Sequence, residues 1–109
     1  MFWVYTVRCE DGSLYTGFSD DVKKRIHAHF YQLKTAAKYT KSHKVCGLAG
    51  LWKCQSETAA RKLEYRIKRL DRAKKLLLLE KPERVFDFFP ELSDFAIEPD
   101  YEIKFNDCI

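Results

Sequence analysis

Aromatic and β-branched residues crowd two short stretches near the start of the chain, Phe2 to Cys9 and Leu14 to Ser19, and predict two strands. Glu10-Asp11-Gly12-Ser13 lies between them. A two-residue turn at Asp11-Gly12 pairs Tyr15 with Arg8 and turns it away from Tyr5. A three-residue loop, Glu10-Asp11-Gly12, puts Gly12 in the left-handed position and sets Tyr15 opposite Val7, on the face Tyr5 also uses. The sequence permits both, and the second is favoured because only it unites the tyrosines. Ser19 and Asp20 are candidate caps for a helix whose apolar stripe is Val22, Ile26, Phe30 and Leu33. Arg25 and His29, four apart, share one face beside that stripe.

Residues 34–46 carry five Lys or His and little periodicity, and read as a loop. Gly47 to Lys53 reads as a third, short strand. Ser56 suits the cap of a second long helix with Ala60, Leu63, Ile67 and Leu70 on its apolar side and Glu64 at the margin. The basic run Arg61 to Lys75 leads into Leu-Leu-Leu-Leu-Glu, expected to be a helix packed on the core. Pro82 and Pro90 punctuate an acidic, aromatic segment.

The 109 residues fit one domain with one core. No apolar run approaches the roughly 20 residues of a membrane span, and the start of the chain lacks the features of a signal peptide. The expectation is an intracellular, cytoplasmic protein. Cys9, Cys46, Cys54 and Cys108 form no CxxC pair, which favours free thiols over a zinc site. Charge is divided along the chain. Residues 1–79 hold 17 Lys+Arg against 7 Asp+Glu, net +10, and residues 80–109 hold 3 against 9, net −6. A body this basic suits a polyanionic partner, with an acidic segment beside it.

The stretch Val4 to His29, then Ala36 to Thr40, then Arg61 to Lys75, resembles a GIY-YIG nuclease domain. It is similar in particular to the small stand-alone bacterial members and to the catalytic subunit of structure-specific nucleases that cut branched DNA. The resemblance covers residues 2–79. The two family tripeptides fall on Trp3-Val4-Tyr5 and Tyr15-Thr16-Gly17. The catalytic arginine falls on Arg25, the helix residue one turn later on His29, and the metal-binding glutamate on Glu64. Trp3 replaces a glycine and Thr16 an isoleucine. Phe18 and Ser19 stand where some members carry a lysine, which leaves proton transfer to His29 or metal-bound water.

The resemblance implies an α/β (α+β) fold with a small three-stranded antiparallel sheet flanked by helices in residues 1–79, and one divalent ion, Mg²⁺ or Mn²⁺. It implies hydrolysis of DNA phosphodiester bonds, with DNA repair as the setting. Residues 80–109 are expected to be an acidic aromatic extension packed on the same domain. The residue types suit the reaction. Phosphodiester cleavage builds charge on a non-bridging oxygen, and the always-charged Arg25 stabilises it. Mg²⁺ accepts one carboxylate, here Glu64, with waters completing its shell. A tyrosine with a pKa of about 10 needs a neighbour to act as base; Tyr5 with His29 is the favoured pair, with Tyr15 positioning.

Each of these residues alone also has an ordinary structural reading; Glu64, for instance, suits a pair with Lys68 one turn on. Basic residues beside such a site read as a phosphate track: Lys68, Arg69, Lys74 and Lys75, or Lys38, Lys41 and Lys44. Tyr39, Trp52 and Tyr65 are candidates for base stacking, though Trp52 equally suits the core. The leading function is a metal-dependent endonuclease acting on single-stranded or branched DNA with little base specificity. The alternatives are a binding module of the same fold and a protein adaptor using residues 80–109.

Overall fold

A computed structural model describes residues 1–109 as four strands and five helices. Strand β1 (Phe2–Cys9) pairs antiparallel with β2 (Leu14–Ser19) in the register Val7 opposite Tyr15 and Tyr5 opposite Gly17. Gly12 closes the loop at φ 85°, a conformation that glycine adopts without a Cβ penalty. The three-residue loop is therefore the one formed, and Tyr5 and Tyr15 share a face. Thr6 and Thr16, directly opposite one another, share a buried 2.8 Å hydroxyl bond. That bond accounts for threonine at the centre of the second tripeptide.

Helix α1 (Val22–Phe30) is capped by the side chain of Asp21, which accepts from the Lys24 amide. Its end is a Schellman turn. Gln32 stands at φ 53°, its amide bonds the His29 carbonyl, and the Leu33 amide bonds the Ala28 carbonyl. Leu33 thus falls beyond the helix and is exposed, so the stripe stops at Phe30. The Gln32 side chain donates to the Lys41 carbonyl at 2.9 Å and to that of Thr40 at 3.3 Å. It holds a one-turn helix, α2 (Lys38–Ser42), against the end of α1. That turn lies inside the stretch expected to be loop; five residues are too few to display a helical period.

Strand β3 (Val45–Cys54) starts two residues earlier than expected and pairs with β1. Helix α3 (Glu57–Arg69) begins at the Ser56 cap and buries Ala59, Ala60, Leu63 and Ile67. The basic run then breaks at Leu70, and Asp71 caps a separate helix, α4 (Arg72–Glu80). Of the four leucines of α4 only Leu78 is buried; Leu76 and Leu77 face solvent. A nine-residue helix lying on a core presents one stripe to it, not four consecutive side chains.

After a 3-10 turn at Pro82–Arg84 come the one-turn helix α5 (Val85–Phe88) and β4 (Ile97–Pro99). β4 pairs with β3, so the sheet has four strands, in the order β2-β1-β3-β4, where three were expected. Three residues reading Ile-Glu-Pro carry no alternation from which to read a strand. One core cluster joins Val4, Trp52, Leu63 and Ile67 to Val85, Phe89, Leu92 and Ile97. Trp52 is fully buried with its indole N–H on the Pro82 carbonyl at 2.9 Å, which removes it from the base-stacking candidates. All four cysteines are free, no trio of His, Cys, Asp or Glu gathers for a metal, and no helix is long and apolar enough to cross a membrane.

Candidate active site

The second core cluster, built on Tyr5, Val7, Val22 and Ile26, fixes α1 against the sheet face that carries both tyrosines. Here Tyr5 Oη lies 2.7 Å from His29 Nε2, and His29 Nδ1 lies 2.7 Å from Thr40 Oγ1. The Thr40 hydroxyl in turn donates to the Ala37 carbonyl at 3.0 Å. A carbonyl can only accept, so the single hydroxyl proton of Thr40 is spent there. Thr40 Oγ1 therefore accepts from Nδ1–H, and Nε2 offers its lone pair to the Tyr5 hydroxyl. A long contact of 3.4 Å from the Ala37 amide to Nδ1 favours the other tautomer, but the two 2.7 Å bonds outweigh it.

Tyr5 and His29 are 1% and 0% exposed, so neither hydrogen bond competes with bulk water. Burial pushes the Tyr5 phenol well above its ordinary value; Tyr15 adds to the rise and Arg25 opposes it. Burial lowers His29 to about 4, helped by the charge of Arg25. Both groups rest neutral, with the proton on the tyrosine.

The Tyr5 ring fits because its strand partner is glycine. A Cβ on Gly17 would sit 2.5 Å from Tyr5 Oη and 2.8 Å from Cζ. The third residue of the second tripeptide is thus a seat for the tyrosine of the first. Half-buried Tyr15 lies beside Tyr5, with ring centroids 6.5 Å apart, and edge-on to His29 at 5.5 Å. Burial raises its phenol too, opposed by Arg25. Tyr39 stacks on Tyr15 at 5.8 Å and on His43 at 3.9 Å. Its ring buttresses the site instead of standing free for a base.

Arg25 is half-buried on α1, and one arm of its guanidinium donates to the Thr35 carbonyl. Glu64 comes from α3, its side chain 21% exposed and 3.7 Å from Lys68 Nζ. Its charge disfavours ionisation of both tyrosines. A partly exposed carboxylate of this kind, with no second protein ligand, suits a hard ion that keeps several waters and takes phosphate oxygens, as Mg²⁺ does.

The structure thus gathers Tyr5, Tyr15, Arg25, His29 and Glu64 into one locality. It divides the expected phosphate track. Lys68 faces Tyr15, its Nζ 5.6 Å from the ring centroid, while Arg69 lies over the exposed Tyr65 ring at 5.3 Å. Lys74 and Lys75 belong to α4, past the break. Lys38 and Lys41 are exposed on α2, and Lys44 pairs with Glu10 at 3.7 Å. Thr40 escaped the sequence reading, as did the seat at Gly17. A lone threonine in a basic stretch gives no signal of its own, whereas the register of the two tripeptides points to Gly17.

The family model described as the GIY-YIG catalytic domain matches residues 1–76. A UPF0213 protein of Fusobacterium nucleatum is 42% identical over 82 residues, which cover 75% of this chain and 80% of that protein. One of Desulfotalea psychrophila is 36% identical over 94 residues, covering 84% of each. The solution structure of the UPF0213 protein BH0048 from Bacillus halodurans covers 85% of this chain and 98% of its own, at 34% identity and a TM-score of 0.48.

Proposed function

Because the chain belongs to the GIY-YIG catalytic-domain family, we propose that it is a metal-dependent endonuclease that hydrolyses DNA phosphodiester bonds. Single-stranded or branched DNA is the substrate we propose, and DNA repair the setting. The observation that carries the reading is the directed chain Tyr5–His29–Thr40–Ala37. Ordinary core packing has no need of a histidine whose lone pair is aimed at a buried phenol. The cations of the site suit phosphate, which is present whatever the sequence, so little base specificity is expected.

In this reading an attacking water forms the new P–O bond as it gives its proton to Tyr5 Oη. The Tyr5 proton passes to His29 Nε2, which becomes an imidazolium still held at Nδ1 by Thr40. Burial raises the phenol and lowers the imidazole, so both rest neutral; the imidazolium forms only in the step itself, as negative charge grows on the phosphate. Arg25 meets the charge that grows on the non-bridging oxygen. The opposite P–O bond breaks, the leaving oxygen takes a proton from solvent, and the imidazolium returns its proton through Tyr5 to solvent, which restores the neutral pair. Tyr15 orients the phosphate. A divalent ion at Glu64 would supply Lewis-acid stabilisation of the phosphate and leaving oxygen.

The test is cleavage of single-stranded, duplex and branched DNA side by side with Mg²⁺ or Mn²⁺, and with chelator as control. Metal-dependent cutting is expected. DNA binding without cutting on every substrate would replace the nuclease by a binding module of the same fold.

A further inference from the structure

Lys68 stands apart from the other cations of α3. Arg61 lies over Phe18, Lys62 over Phe95 and Arg69 over Tyr65, while Arg66 pairs with Glu91. Lys68 alone of them points at the reaction centre. Its ammonium sits 3.7 Å from Glu64 Oε2 and 5.6 Å from the Tyr15 ring centroid. The same nitrogen therefore pairs with the candidate metal ligand and lies over the ring of one of the two tyrosines.

The Lys68–Glu64 pair is partly open to water, the side chains 47% and 21% exposed. Such pairs are weak, at most about fivefold in an equilibrium constant, so a divalent cation readily takes the carboxylate from a lysine. The displaced ammonium keeps a four-carbon stem and stays beside Tyr15 without any movement of α3. Arg25, the other cation of the centre, already spends one arm on the Thr35 carbonyl. The centre is thus short of freely aimed positive charge once Glu64 is occupied.

Taking the hydrolytic reading as its basis, we propose that Lys68 is a further catalytic residue. At rest its ammonium holds the Glu64 carboxylate. Once that carboxylate is engaged by a divalent cation, the ammonium moves to a non-bridging oxygen of the phosphodiester lying against Tyr15. There it meets charge that grows only as the reaction proceeds. Lys68 is then not part of a general phosphate track, and its removal has opposite effects on two measurements.

The test compares Lys68→Met, Lys68→Arg and Glu64→Gln with the wild type, each checked for an unchanged melting temperature. Mn²⁺ binding to the DNA-free protein is read by electron paramagnetic resonance. Lys68→Met removes a competitor for Glu64, so Mn²⁺ should bind about twofold to fivefold more tightly. Single-turnover cleavage should fall about 10²–10³-fold, while DNA affinity measured in Ca²⁺ should change by less than about threefold. Lys68→Arg should restore wild-type Mn²⁺ affinity and part of the rate. The proposal is overturned by cleavage close to wild type, by a rate loss matched by lost DNA affinity, or by unchanged Mn²⁺ affinity. If Glu64→Gln is inactive and Lys68→Met is not, this inference alone fails. If the wild type cuts nothing, or Glu64→Gln cuts normally, the nuclease reading falls and takes the inference with it.

Discussion

Tyr5 and His29, 24 positions apart, share a 2.7 Å hydrogen bond in which the phenol donates and the imidazole accepts. The acceptor role requires a neutral ring. Burial holds His29 near 4, below its ordinary 6.5, so the ring is neutral across the physiological range. The acid limb of the cleavage profile should therefore lie near pH 4, not 6.5. The ring protons of His29 followed by NMR should titrate there as well. A midpoint at 6.5 would remove the burial argument.

The same shift has a stability consequence. A base whose pKa is lower when folded leaves the unfolded chain binding the extra proton at acid pH. Its stabilising contribution is complete above about 6.5 and is lost as pH falls towards 4. The loss amounts to at most about 3 kcal/mol. Urea denaturation at pH 7 and pH 4.5 should show it, and His29→Phe should weaken that dependence.

Gly17→Ala should displace the Tyr5 ring, because the new methyl would lie 2.5 Å from its hydroxyl. Overpacking of this kind costs about 1–3 kcal/mol, and a displaced hydroxyl leaves His29 without its partner. Cleavage should fall well below that of a protein merely destabilised to the same melting temperature, such as one carrying Leu78→Ala.

Arg25→Ala and Glu64→Gln should each lower cleavage about 10²–10³-fold with the protein folded and DNA still bound. Near wild-type rates, in preparations shown free of contaminating nuclease, would displace the site from these residues.

Much of this centre was legible because its pieces are local. Ser56 and the stripe Ala60, Leu63, Ile67 announce α3, and Glu10-Asp11-Gly12 offers, as one of two readings, the loop that brings Tyr5 to Tyr15. What escaped is tertiary. Thr40 matters only because Gln32 ties α2 to the end of α1, a contact between the tail of a periodic helix and a segment without periodicity. β4 exists because β3 offers an open edge, not because Ile-Glu-Pro favours a strand. The four-leucine run was expected to be a helix packed on the core; α4 does meet the core, but along one narrow stripe that leaves Leu76 and Leu77 exposed. The phosphate track was read from charge order along the chain, and Asp71 breaks that order by capping a new helix.

Residues 80–109 make two separable predictions. Their apolar anchors Val85, Phe89, Leu92 and Ile97 lie in the main core, so truncation before Pro82 should leave an unfolded or aggregated protein. Their acidic groups differ in role. Asp100 accepts from the Trp3 indole at 3.0 Å and is structural, whereas Glu91 pairs with Arg66 of α3 at 3.2 Å. Glu91→Gln should tighten DNA binding at low salt, with the gain fading as salt rises. Equal affinity across the salt series would leave the segment a purely structural role.

The indole of Trp3 bonds a carboxylate 97 positions later, and His27 Nδ1 donates to the Cys108 carbonyl at 3.1 Å. Trp3 lies on the strand that carries Tyr5, and His27 on the helix that carries Arg25 and His29. During synthesis every residue of the candidate site leaves the ribosome well before the residues that brace it. The loops closed by these contacts span 97 and 81 positions and are among the last to form. A nascent polypeptide therefore holds the chemistry of the centre before it holds the frame, and the frame closes only once residues 97–108 have emerged.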